Sequence, residues 1–114
     1  ITNVTDPVCP WCWGEEPFFR KLETHFPGLI AWHNVMGGLG EDMNKNKPAD
    51  IDADTYYNKE NKDFITHCLE TAEKHGMPIR TEGFNLFSET ENSSFPLCIA
   101  FKAAQIAKGR SLSL

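Results

Sequence analysis

Two cysteines separated by two residues, in Cys9-Pro10-Trp11-Cys12, are the residues of this chain best spaced to do chemistry. They fall where a short β-branched segment, Ile1-Thr2-Asn3-Val4-Thr5, ends at Asp6-Pro7 and an amphipathic stretch begins. A thiol at the start of a helix meets unpaired N–H groups and the positive end of the helix dipole. Both stabilise the thiolate, so Cys9 is expected to be exposed, to have a lowered pKa, to act as nucleophile, and to be alkylated before the other thiols. Cys12, one turn further on, is expected to attack a mixed disulfide on Cys9 and release the product. The plainer alternatives are half of a zinc site or two incidental core thiols. Zinc would want a second close pair of Cys or His, and the adjacent His67-Cys68 is badly spaced for one. A Cys-x-x-Cys beside a strand-helix-strand pattern favours redox chemistry.

The neighbours of the pair carry weaker expectations. Pro10 suits a first helical turn, where its missing N–H costs no bond, and is the candidate residue for tuning the redox pair. Trp11, between the cysteines, is expected to be exposed and to meet peptide substrate. Trp13 is expected to fall in the core, as large aromatics usually do. Glu15 and Glu16 read as helix-start charges that complement the dipole. Cys68 and Cys98 lie on apolar helix faces and read as inert core thiols, with a pairing between them left open. His25, His33, His67 and His75 show no ligand or triad spacing. The run Gly37-Gly38-Leu39-Gly40 follows a strand but lacks a phosphate-loop lysine and the GxGxxG spacing, which argues against nucleotide binding.

The elements that must hold these residues can be read from periodicity. Ile1 to Thr5 is a strand, ended by a residue pushed to extended geometry before proline. From Pro10, Phe18, Leu22 and Phe26 recur at helical spacing with Phe19 beside them, and the charged residues Glu15, Glu16, Arg20, Lys21 and Glu23 point elsewhere. Pro17 inside that helix predicts a kink. Pro27-Gly28 stops it, and Leu29 to Val35 reads as a second strand, apolar enough to be covered on both faces. Strand, helix and strand make a βαβ unit with a right-handed crossover. A polar loop from Glu41 to Asp54 follows as a domain boundary. Asp54 or Thr55 then caps a helix with Tyr57, Phe64, Ile65, Cys68, Leu69 and Ala72 on one face, closed by Gly76 and Pro78. Asn92, Ser93 or Ser94 caps a third helix with Pro96 in its first turn, Leu97, Ala100, Phe101, Ala104 and Ala107 on one face, and Gly109 at its end. Residues 1–40 therefore read as a βαβ domain part and residues 41–114 as a helical domain.

Composition bounds the function. Eleven Lys and Arg against sixteen Asp and Glu give a net charge of −5, without a basic stripe, which argues against nucleic acid or an anionic membrane surface as partner. Apolar runs such as Leu29 to Trp32 fall far below the roughly 18 residues of a membrane span. Four cysteines are too few for a disulfide-dense secreted scaffold. The chain opens at Ile1 inside a strand and ends at Ser111-Leu112-Ser113-Leu114 without a terminating element, so it reads as part of a longer protein.

The segment Asp6-Pro7-Val8-Cys9-Pro10-Trp11-Cys12-Trp13-Gly14 resembles the active-site segment of the DsbA-like branch of the thioredoxin superfamily, especially the FrnE-type dithiol-disulfide isomerases. Gly76-Met77-Pro78, followed by Asn92-Ser93 and an Ala-rich helix, is similar to the helical insertion domain of that group. The resemblance implies an α/β thioredoxin-like fold interrupted by a helical insertion. It also implies a Cys9/Cys12 pair cycling between dithiol and disulfide on protein or peptide substrates, without metal or organic cofactor, and a cytoplasmic setting. In that family later strands complete the sheet and carry a cis-proline opposite the cysteines, and this sequence offers no proline in such a strand. The same scaffold also serves as an adaptor delivering a regulator to a protease, the rival reading of a different class. A glutathione-dependent branch is disfavoured, because it would put serine in place of Cys9.

Overall fold

A computed structural model describes residues 1–108. β1 (Thr2–Thr5), α1 (Pro10–His25) and β2 (His33–Met36) form a βαβ unit whose two strands run parallel. Val4 stands opposite Val35 and Thr5 opposite Met36. The Gly37 N–H extends the ladder by donating to the Thr5 carbonyl at 2.7 Å. A 3-10 turn (Met43–Asn46), α2 (Ala53–His75) and α3 (Phe95–Lys108) follow. The expected class holds: this is a thioredoxin-like α/β arrangement with a short strand pair and three helices, the sheet having two strands among the described residues.

The apolar core lies outside the βαβ unit. Tyr56, Tyr57 and Phe87 form its centre, with Met43, Ile51, Phe64 and Leu86 packed around them. Asn61 holds this cluster together. Its carbonyl oxygen accepts the N–H groups of Leu86 at 3.1 Å and Phe87 at 3.0 Å, and its amide donates to the Phe87 carbonyl at 2.8 Å. One buried side chain thus satisfies the backbone of a loop that has no ladder of its own.

Several expected faces and boundaries are corrected. Phe18, Leu22 and Phe26, expected to face the core, are exposed, Phe18 by 61%. Among the described residues α1 packs on α2 instead, through its first turns. Glu16, expected on the polar side, is buried, its charge paired with Arg20 one turn on. α1 continues through Pro17, which deprives the Trp13 carbonyl of its helical donor. β2 begins at His33, and Leu29 is exposed.

The cap of α2 is Asp52, whose side chain accepts the Thr55 N–H at 2.9 Å, ahead of the expected Asp54 or Thr55. Leu69 is exposed, and Tyr56, Asn61 and Thr71 take buried places the periodicity had not assigned them. Gly76 ends α2 in the left-handed region, φ +75°, and donates its N–H to the Ala72 carbonyl. On α3 the inward line is Cys98, Lys102 and Gln105, whereas Leu97 is exposed. Polar anchors decide this rotation: Lys102 Nζ donates to the Asn34 carbonyl and Cys98 faces Asp6. The Gly109 stop lies outside the described residues.

Candidate active site

The site begins with a turn. The Cys9 N–H donates to the Asp6 carbonyl at 3.0 Å, closing Asp6-Pro7-Val8-Cys9 with proline where its fixed φ suits a turn. Cys9 then becomes the N-cap of α1, in extended geometry, and Pro10 starts the helix. As a cap, Cys9 Sγ accepts the Cys12 N–H at 3.4 Å. The helix start thus brings the two cysteines together, and both are half-buried free thiols.

Burial decides the ionisation of Cys9, against expectation. Desolvation is the largest influence and pushes its thiol above the ordinary value, and the neighbouring Cys12 side chain pushes the same way. The Cys12 and Trp11 N–H groups pull down, but they are outweighed. An exposed, low-pKa Cys9 therefore does not describe this chain. Burial likewise pushes the Cys68 and Cys98 thiols up, and all four cysteines are free.

Two clefts meet at Cys9. One, of about 320 Å³, runs between Cys9, Trp13, Phe64, Phe84 and Leu86. The other, of about 530 Å³, has a more polar lining that includes Glu60, Asp63 and His67. Trp13, expected in the core, is 42% exposed and lines the apolar cleft, because its Nε1–H donates to the Pro78 carbonyl at 3.0 Å and keeps the ring at the rim. Trp11 is exposed as expected. It meets the His75 ring edge-to-face at 5.9 Å.

Cys68 and Cys98 are 3% and 7% exposed and stand apart: Cys68 lines the apolar cleft, and Cys98 donates toward an Asp6 carboxylate oxygen at 3.6 Å. Glu15 is exposed. Among the described residues no cluster of His, Cys, Asp or Glu could hold a metal ion. None of their helices is long and apolar enough to cross a membrane.

Two residues escaped the sequence reading. His75 comes from the far end of α2 to lie on Gly14 and Trp11, and no local pattern announces a contact across more than sixty positions. Asp6 stands in the sequence as the end of a strand and the first residue of the family-like segment, with no role for its side chain. Its side chain accepts the Val8 N–H two residues on, the signature of an Asx turn, which the Asp-Pro pair could have suggested.

A parallel βαβ unit with a Cys-x-x-Cys pair at its strand-to-helix turn defines a thioredoxin-like protein. A thioredoxin family model matches residues 4–111, and the chain belongs to that family. It is also similar to a ClpXP adapter protein SpxH of Halalkalibacterium halodurans, 25% identical over 107 residues. That match covers 93% of this chain and 32% of the relative, so the chain spans about a third of the relative's length.

Proposed function

We propose that the chain carries the thiol-disulfide exchange site of a DsbA/FrnE-type oxidoreductase or isomerase acting on protein dithiols or disulfides. The observation that carries this reading is Cys9 at the N-cap of α1 with its sulfur on the Cys12 N–H. Cys9 loses its proton and its sulfur attacks one sulfur of a substrate disulfide. A Cys9–substrate disulfide forms, and the second substrate sulfur leaves as a thiolate that takes up a proton. Cys12, deprotonated in turn, attacks Cys9 Sγ. The Cys9–Cys12 disulfide forms, and the first substrate sulfur leaves as thiol. Two electrons have passed to the substrate; oxidation of a client dithiol runs the same steps backwards.

Pro10 fixes the backbone between the two sulfurs and tunes the pair. Trp11 and Trp13 offer aromatic surface beside it for an unfolded polypeptide segment, with the apolar cleft receiving a flanking side chain. The thiol-favouring burial of Cys9 supports the reducing and isomerising directions, since strong oxidants stabilise their reduced form as a thiolate. Residues 1–40 act in this reading as the redox part and residues 41–114 as a helical insertion beside it.

The test is trapping with single variants. Cys12→Ser should accumulate reductant-sensitive adducts with client proteins, and Cys9→Ser should form none and lose exchange. Adducts on Cys9→Ser alone would reverse the roles. Turnover persisting in both variants would place the active site elsewhere. A second reading, a protease adaptor working by a docking surface, is favoured by the named relative and by the exposed Phe18 and Phe26 of α1. An adaptor would keep partner binding in the Cys9→Ser/Cys12→Ser double variant and show no dithiol turnover in the parent.

A further inference from the structure

Asp6 is 2% exposed and carries a carboxylate. A buried charge is tolerated only where donors surround it. Here they come from three stretches of the chain. Oδ1 accepts the Val8 N–H at 2.9 Å. Oδ2 accepts the Leu39 N–H at 2.8 Å, the Ser94 hydroxyl at 3.1 Å and, more weakly, the Cys98 thiol at 3.6 Å. The first contact shapes the turn that ends at Cys9. The others fasten that turn to the loop after β2 and to the start of α3, where Ser94 is fully buried. Cys98 is therefore more than a packing thiol.

We propose that Asp6 is a positioning residue for the Cys9/Cys12 pair, its buried carboxylate holding the turn that delivers Cys9 to the helix start and so setting how readily the two sulfurs join. The proposal rests on the thiol-disulfide reading above. A disulfide demands narrow geometry, and the advantage of an intramolecular attack depends on how little freedom the two sulfurs have left to lose. Pro7 fixes one dihedral of the turn, the Asp6–Val8 contact restrains the next, and the Oδ2 contacts stop the whole turn from swinging. Without the carboxylate the dithiol is less preorganised, and closure to the disulfide becomes less favourable.

The measurement is the equilibrium with glutathione. The Cys9 and Cys12 thiols react with one glutathione disulfide to give the Cys9–Cys12 disulfide and two glutathione thiols, so two electrons and two protons pass from the pair. The protein is equilibrated over a range of glutathione ratios, quenched in acid and alkylated, and its oxidised fraction is read by mass. Asp6→Ala should lower the equilibrium constant for closure about tenfold, a potential about 30 mV more oxidising. Asp6→Asn, which keeps an oxygen for the Val8 N–H, should shift it less. Should Asp6→Ala fail to fold, Ser94→Ala/Cys98→Ala removes both side-chain donors of Oδ2 and should move the constant the same way. A purely structural role would lower the melting temperature and leave the potential unmoved, and that result in folded variants overturns the proposal. A parent protein whose Cys9/Cys12 pair never oxidises would overturn the exchange reading and the role of Asp6 with it, whereas a parent that oxidises beside unmoved variants removes the role of Asp6 alone.

Discussion

Gly14 lies directly against the ring of His75: a Cβ at position 14 would stand 2.2 Å from the His75 Cδ2. The end of α2 is thereby seated on the first turns of α1, with the His75 ring held by the Met77 N–H donating to its Nδ1 at 3.0 Å. Helices approach this closely only where one side chain is missing, so Gly14 is a packing requirement despite its cost to the helix.

Gly14→Ala should therefore destabilise the protein by about 1–3 kcal/mol, the range for overpacking a close contact. Denaturant midpoints check this. The Gly14→Ala/His75→Ala double variant should recover part of the loss, because the second change empties the space the new methyl needs. Additive losses would show that the two residues do not press on each other.

Asn61→Ala should rank among the costliest single changes outside the cysteine turn. It strips the Leu86 and Phe87 N–H groups of their acceptor and the Phe87 carbonyl of a donor, inside the apolar cluster. Each buried group left unsatisfied costs about 1–3 kcal/mol. Hydrogen exchange should show the amides of Leu86 and Phe87 losing protection first. Asn61→Asp should be nearly as damaging, since it keeps the acceptor for the two N–H groups and sets a carboxylate against the Phe87 carbonyl.

Cys68→Ala and Cys98→Ala remove the same atom from equally hidden places and should differ in cost. At Cys68 the loss is packing beside the cleft, about 1 kcal/mol by analogy with small core deletions. At Cys98 the Asp6 carboxylate also loses a donor, so the midpoint should fall further. Equal midpoints would mean the Cys98–Asp6 contact contributes nothing.

Three thiols bear on the pH dependence with one sign. Burial raises Cys9, Cys68 and Cys98 above the ordinary thiol value, so the folded chain holds these protons more tightly than the unfolded one. Their contribution to stability is complete below the ordinary thiol range and is lost as pH rises through the raised folded values. Melting temperature should accordingly fall on the alkaline side of about pH 8.5. Alkylation of Cys9 should accelerate over the same alkaline window; rapid labelling below neutral pH would contradict the desolvation that dominates its environment.

What the sequence determined by itself was the local chemistry. Cys9-Pro10-Trp11-Cys12 at a strand-to-helix change, Pro10 in the first turn and Gly76 at the end of α2 all follow from neighbours a few residues apart, where dihedral preference and hydrogen-bond reach act. Tertiary structure decided everything that needed a partner from afar. Phe18, Leu22 and Phe26 have perfect helical spacing and still lie exposed, because periodicity marks a face without saying what covers it. Trp13 stays at the rim because Pro78 offers it an acceptor. Glu16 offers the reverse case: its partner Arg20 is one turn away and legible in the sequence, but its burial is set by the packed chain. Cys9 shows the same division in one atom: its place at the helix start was legible from three neighbouring residues, and the direction of its ionisation was set by desolvation, which only the packed chain defines.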